Sequence, residues 1–164
     1  MHSILMIEDD LEFAEIMVEC LGADPEFTVT RAFTNQLDAS VAFRSGMLRG
    51  IDAVLVDLHL AYSTDDRRVN VSGGLKLICE MRQEHAFSGK IIVLTNSDSF
   101  EDGENALNAG CDGYLCKHVR MGDLPALLSE LRMAIRGDVV LVSSRMRHIF
   151  MKTGGCGVDG QLGG

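Results

Sequence analysis

Five polar residues stand out by where they fall: Glu8 and Asp9 after one apolar run, Asp57 after a second, Thr95 after a third and Lys117 after a fourth. Three carboxylates brought into one pocket repel each other, so protons or a hard cation must offset them. An all-oxygen ligand set with room for water suits Mg²⁺ (or Mn²⁺), which takes a few carboxylates together with a phosphate. Lys117 adds a point charge suited to a phosphoryl oxygen. Thr95 adds a hydroxyl donor. Asp57, the lone acid that closes Ala53-Val54-Leu55-Val56, is of the right type to be a nucleophile and carry an aspartyl-phosphate. In-line transfer then needs mainly positioning and charge stabilisation. Taken singly, each residue has a plainer reading: a helix cap for Glu8, Asp9 and Asp10, a turn residue for Asp57, a strand-end hydroxyl for Thr95, a surface cation for Lys117. Their recurrence at successive strand ends favours a shared site.

The elements that must position them follow from hydrophobic patterning. Short apolar runs bounded by polar segments read as strands buried on both faces. They are Ser3–Ile7, Asp52–Asp57, Lys90–Leu94 and Gly113–Cys116, with an alternating run over Phe27–Ala32. Between them lie helical stripes. The first runs from Leu11 to Leu21 and closes near Gly22. The second takes in Leu37, Val41, Phe43, Met47 and Leu48 and ends near Gly50. The third is opened by Gly73-Gly74 and carries Leu75, Leu77, Ile78 and Met81. The fourth spans Phe100 to Ala109, and the fifth Gly122 to Ile135 with Pro125 in its first turn. Strand and helix alternate five times, which predicts an α/β parallel sheet with helices on both faces. All strand ends then share one carboxyl edge, where open α/β sheets bind ligands.

The chain has 164 residues, which predicts one domain over 1–136 and a C-terminal extension over 137–164. The extension is expected to hold a short helix near Ser143–Lys152 and a glycine-rich end with too little apolar surface to fold alone. A net charge of −9 argues against direct nucleic-acid binding and against docking on anionic membrane. Five cysteines form no metal-binding spacing and read as reduced, mostly buried thiols of a cytoplasmic protein. No run has the length of a membrane span, and the N-terminus lacks the basic start of a signal peptide.

Four motifs together, Ile4-Leu5-Met6-Ile7-Glu8-Asp9-Asp10, Val54-Leu55-Val56-Asp57, Ile91-Ile92-Val93-Leu94-Thr95 and Gly113-Tyr114-Leu115-Cys116-Lys117, closely resemble the receiver domain of two-component response regulators over about residues 3–136. The resemblance implies a flavodoxin-like three-layer sandwich with five strands in the order 2-1-3-4-5 and five helices. It implies that Asp57 accepts a phosphoryl group from a histidine of a sensor kinase or phosphotransfer protein. It makes Glu8, Asp9, Asp57 and the backbone carbonyl of His59 the metal ligands. Thr95 and Lys117 become the contacts of the phosphoryl group, and Thr95 and Tyr114 the switch pair. Many relatives dimerise through the face of the fourth helix, fifth strand and fifth helix; whether this chain pairs there or through the extension is left open by the sequence. Intrinsic chemistry would stop at self-phosphorylation and slow hydrolysis. The competing reading is a pseudo-receiver that binds partners without phosphorylation.

The chain departs from the family pattern around the acceptor. Gly74 sits 17 positions after Asp57, so the intervening loop is long, with Asp65-Asp66-Arg67-Arg68 at its middle. The proline often found soon after the acceptor is absent, with Ala61 near that place. His118 replaces the proline that often follows the lysine. His59, two residues past the acceptor, is expected to tune the lifetime of the phosphoryl group. A second acid there would fit a haloacid-dehalogenase-type phosphohydrolase, so His59 counts against that enzyme class. The tail reads as the start of a linker, in a stand-alone receiver or one cut from a longer chain.

Overall fold

The computed structural model describes residues 1–66, 69–70, 72–117 and 124–137. Five parallel strands, β1 (His2–Ile7), β2 (Phe27–Phe33), β3 (Ala53–Val56), β4 (Lys90–Thr95) and β5 (Gly113–Cys116), form one sheet in the order β2-β1-β3-β4-β5. They alternate with α1 (Leu11–Gly22), α2 (Gln36–Arg44), α3 (Gly73–Cys79), α4 (Phe100–Ala109) and α5 (Leu124–Arg136). This is the expected flavodoxin-like arrangement and strand order.

Side chains alternate across a strand, so each central strand feeds two cores. Ile4, Met6, Leu55, Ile92, Leu94 and Leu115 pack with Met17 and Leu21 of α1 and Leu127 and Leu131 of α5. Leu5, Ile7, Val54, Val56, Ile91 and Val93 pack with Phe43 of α2, Leu77 and Ile78 of α3 and Ala106 of α4. A sheet covered on both faces has no polar side, which is why the central strands are apolar at consecutive positions. β2 is the edge. It alternates, and it bulges where the pairing steps from Ile4–Val29 to Leu5–Arg31, leaving Thr30 out of register.

Register delivers the site. Ile7 stands opposite Val56, and Val56 opposite Val93. Glu8 and Asp57 therefore leave the sheet side by side. Asp10 caps α1 by accepting from the Phe13 amide at 3.1 Å, which turns the chain away just past the acidic pair.

Two elements differ from expectation. α2 ends at Arg44 rather than near Gly50, because the Ser45 hydroxyl donates to the Ala42 carbonyl at 2.7 Å and Gly46 and Gly50 turn left-handed at φ +87° and +78°. Leu48 still reaches the core from these turns. The long loop after Asp57 is also not wholly irregular. Leu60–Ala61 and Val69–Asn70 pair as a short antiparallel ribbon. The Gly74 amide donates to the Leu58 carbonyl at 2.9 Å and closes the base of the excursion. Arg67, Arg68, His118, Cys156 and the extension beyond Gly137 lie outside the described residues. Among the described residues no helix is long and apolar enough to cross a membrane.

Candidate functional site

Asp57 follows β3 directly and is only 6% exposed. Its backbone amide donates to the Ile7 carbonyl at 3.0 Å, which continues the β1–β3 ladder one residue past the strand. A carboxylate this buried needs partners. Lys117, the residue after β5, donates from Nζ to Asp57 Oδ2 at 2.7 Å and lies 2.5 Å from Glu8 Oε2. The His59 amide donates to the other oxygen, Oδ1, at 3.2 Å. The ammonium also sits 4.6 Å from the centre of the Phe13 ring, so an aromatic face covers its remaining side.

Oxygens of Glu8, Asp9 and Asp57 lie within 4.8 Å of one another. Three carboxylates of the cluster share the Lys117 ammonium, which pairs with two of them. Burial pushes the Glu8 carboxyl up to about 7, opposed by Lys117 and reinforced by Asp57. Asp9 is also raised, chiefly by burial, although a hydrogen bond from the Ala61 amide at 3.0 Å works the other way. Burial alone would lower Lys117, but Asp57 and Glu8 outweigh it and hold the ammonium charged. Three oxygen donors around one point, with no nitrogen or sulfur ligand, fit a small hard divalent ion such as Mg²⁺. The structure carries the Glu8–Asp9–Asp57 half of that fit in side chains.

Thr95 ends β4 fully buried, and its carbonyl accepts from the Lys117 amide at 2.7 Å. Its hydroxyl accepts a long hydrogen bond, 3.5 Å, from the Ser97 amide. Tyr114 lies two register positions back on β5, opposite Val93, with its ring buried and its hydroxyl donating to the Ser97 carbonyl at 3.0 Å. Burial raises its phenol above the ordinary range. Thr95 and Tyr114 thus meet at one residue, Ser97, whose hydroxyl also reaches the Asp102 carboxylate in α4. Sequence reasoning missed Ser97, Phe13 and Ala61. The polar run Thr95-Asn96-Ser97-Asp98 marked the neighbourhood of Ser97, whereas nothing in the pattern marked the backbone amide of Ala61.

The family model for the response regulator receiver domain matches residues 4–129. The chain belongs to the response regulator receiver family. This receiver is 28% identical to NarL, the nitrate/nitrite response regulator of Escherichia coli strain K12, over 139 residues, which is 85% of this chain and 57% of NarL. It therefore spans just over half the length of that curated relative. Among solved structures, a LuxR-family two-component response regulator from Aurantimonas sp. SI85-9A1 superposes with a TM-score of 0.72 at 18% identity, covering 92% of this chain and 96% of that one. RcsB of Salmonella enterica serovar Typhimurium, solved on the promoter P1flhDC with the phosphomimetic BeF3⁻, gives 0.68 at 16% identity, covering 94% and 68%.

These relatives correct the expectation of no nucleic-acid binding. A similar LuxR-family structure from Staphylococcus aureus is described as DNA-binding, and RcsB is seen on its promoter. The net charge of −9 belongs to the receiver chain itself. Acidity of the receiver surface carries no information about a basic surface elsewhere in a regulator, and that is why the charge argument failed.

Proposed function

We propose that this receiver accepts a phosphoryl group on Asp57 from a histidine of a sensor kinase or phosphotransfer protein and passes the event on as a conformational switch. The observation that carries the reading is the buried Asp57, with Lys117 Nζ on one oxygen at 2.7 Å and Glu8 and Asp9 within reach of a shared cation. A carboxylate oxygen of Asp57 attacks phosphorus while the bond from phosphorus to the donor nitrogen breaks, and the imidazole leaves with that electron pair and takes up a proton. Glu8, Asp9, Asp57 and the His59 carbonyl would hold Mg²⁺, which supplies charge neutralisation at the phosphoryl oxygens. Lys117 then releases part of its hold on Glu8 and pairs with a phosphoryl oxygen. Thr95 turns its hydroxyl toward another.

The switch runs through Ser97. A Thr95 hydroxyl drawn to the phosphoryl group leaves the Ser97 amide, and the Tyr114 hydroxyl is anchored on the same residue. A local charge event thereby biases the β4–α4 loop and β5 together. The names of the relatives support control of a DNA-binding output. Intrinsic chemistry is limited to self-phosphorylation from a donor and slow hydrolysis.

Incubation with Mg²⁺ and acetyl phosphate is expected to give an acyl-phosphate adduct by intact mass, and beryllofluoride is expected to shift the Tyr114 ring resonances. Both responses disappear in Asp57→Asn. A wild-type protein that takes neither ligand while binding a partner normally would instead be a pseudo-receiver.

A further inference from the structure

The long loop after Asp57 makes a backbone contact with the acidic cluster. Ala61 N–H donates to Asp9 Oδ2 at 3.0 Å. We propose that the Ala61 amide is a positioning group for the cation site: it ties the 60–72 loop to Asp9 and holds that carboxylate in the orientation a divalent ion needs. This rests on reading Glu8, Asp9 and Asp57 as the metal cluster.

The loop is built to hold that amide still. Its base is closed by the hydrogen bond from Gly74 N–H to the Leu58 carbonyl. Leu60 is fully buried and packs into the core under α2 and α3. Ala61 is 8% exposed and pairs with Val69 in the ribbon. One residue on, the Tyr62 carbonyl accepts from the Leu37 amide at 2.9 Å, in the first turn of α2. That turn is capped by Asn35, which is buried and also reaches Thr64 of the loop at 3.5 Å. Ala61 is therefore gripped on both sides by groups that belong to the sheet and to α2.

Lys117 pairs with Glu8 and Asp57, whereas the Asp9 carboxylate takes backbone donors: its own amide and, from across the chain, that of Ala61. A carboxylate oxygen has two lone pairs, so Oδ2 can keep the amide while a cation takes the other pair or Oδ1. Groups that orient a metal-binding carboxylate in this way are commonly worth about 10–100-fold in metal affinity. The contact needs an N–H at position 61, and a proline there would have none to give.

The test is Mg²⁺ titration of the unphosphorylated protein by calorimetry, with far-UV circular dichroism to confirm folding. Ala61→Pro is expected to raise the Kd for Mg²⁺ about tenfold, whereas Ala61→Gly, which keeps the N–H, stays within about twofold of wild type. In wild type, saturating Mg²⁺ is expected to slow hydrogen exchange of the Ala61 amide about tenfold, since coupling between two sites is reciprocal. A folded Ala61→Pro with the wild-type Kd overturns the proposal. Should that variant not fold, unchanged exchange of the Ala61 amide on adding Mg²⁺ overturns it equally. Wild-type protein that binds no Mg²⁺ overturns the metal reading itself, and this inference with it.

Discussion

Lys117 Nζ and Asp57 Oδ2 are 2.7 Å apart in a pocket where the lysine side chain is 4% exposed and the aspartate 7%. The same ammonium also neutralises Glu8, so one cation serves two buried carboxylates. Lys117 thereby occupies electrostatically the role that a divalent ion would share.

Replacing Lys117 by alanine leaves both acids buried without their cation. The expected cost is about 3 kcal/mol in urea unfolding without divalent ions, typical of removing one partner of a buried pair. Mg²⁺ should bind the variant more tightly, on the order of tenfold or more, because the repelling ammonium is gone. Calorimetry and urea melts with and without Mg²⁺ read both effects. A variant as stable as wild type, with unchanged Mg²⁺ affinity, would show that the pair carries no net electrostatic weight.

Glu8 gives the pH dependence. Its carboxyl is raised to about 7 from 4.5, chiefly by burial. A raised acid means that the folded state binds more protons than the unfolded one between those values. Stability therefore falls as pH rises from about 4.5 through about 7, and the metal-free protein loses on the order of 3 kcal/mol to this group. Glu8→Gln should flatten the curve in that window, and Mg²⁺ should remove much of the loss above pH 7. Urea midpoints at pH 5, 6, 7 and 8 measure it, and a curve for Glu8→Gln that follows wild type would refute the assignment.

The sheet and its acidic edge were legible because both rest on local pattern. Consecutive apolar residues in Val54-Leu55-Val56 require two covered faces, and an acid straight after them must sit at the edge. What was not legible depends on backbone groups meeting across long stretches of chain. The Ala61 amide reaches Asp9 over 52 residues, and no side-chain type announces it. Gly73-Gly74 read only as a helix opening. A side chain at Gly74 would place its Cβ 2.1 Å from the Asp57 carbonyl oxygen, so this glycine lets α3 press against the Asp57 backbone. The early end of α2 likewise depends on Gly46 and Gly50 adopting positive φ, which an apolar stripe through Met47 and Leu48 does not reveal. DNA-binding relatives were hidden for another reason: net charge reports the surface present, not the surfaces a regulator joins to it.

Arg82 ties several elements together away from the site. From the π-helical turn Glu80–Glu84 it donates to the carbonyls of Gly110 and Gly89, each at 2.9 Å, to that of Phe87, and to Asp112 Oδ2 at 2.6 Å. Asp112 in turn accepts from the Ile91 amide at 2.7 Å at the start of β4. One guanidinium thus joins α3, the entry to β4 and the turn before β5. Arg82→Ala should cost about 3 kcal/mol, and Arg82→Lys nearly as much, since an ammonium cannot span the fork. Urea unfolding measures the loss. Acyl-phosphate formation by the folded fraction should stay at the wild-type rate, because among the described residues no Arg82 hydrogen bond reaches Asp57.

On the proposed chemistry, His59 is expected to set how long an acyl-phosphate on Asp57 survives. Its amide donates to Asp57 Oδ1 at 3.2 Å, which fixes the residue beside the acceptor, and it is only partly buried. Water that would hydrolyse a phosphoryl group on Asp57 is blocked by Lys117 on one side, and the expectation is that the His59 imidazole accepts a proton from that water or holds it in line. His59→Ala should therefore slow loss of the phosphoryl group about tenfold, while Mg²⁺ affinity, which depends on the backbone carbonyl and the three acids, stays near wild type. Decay of the acyl-phosphate followed by intact mass after donor removal measures the rate. His59→Gln, which keeps a polar group able to orient water but not to take its proton, separates the two roles: recovery of the wild-type rate assigns orientation, and a rate matching alanine assigns proton acceptance. Equal decay in wild type and His59→Ala would remove His59 from the chemistry.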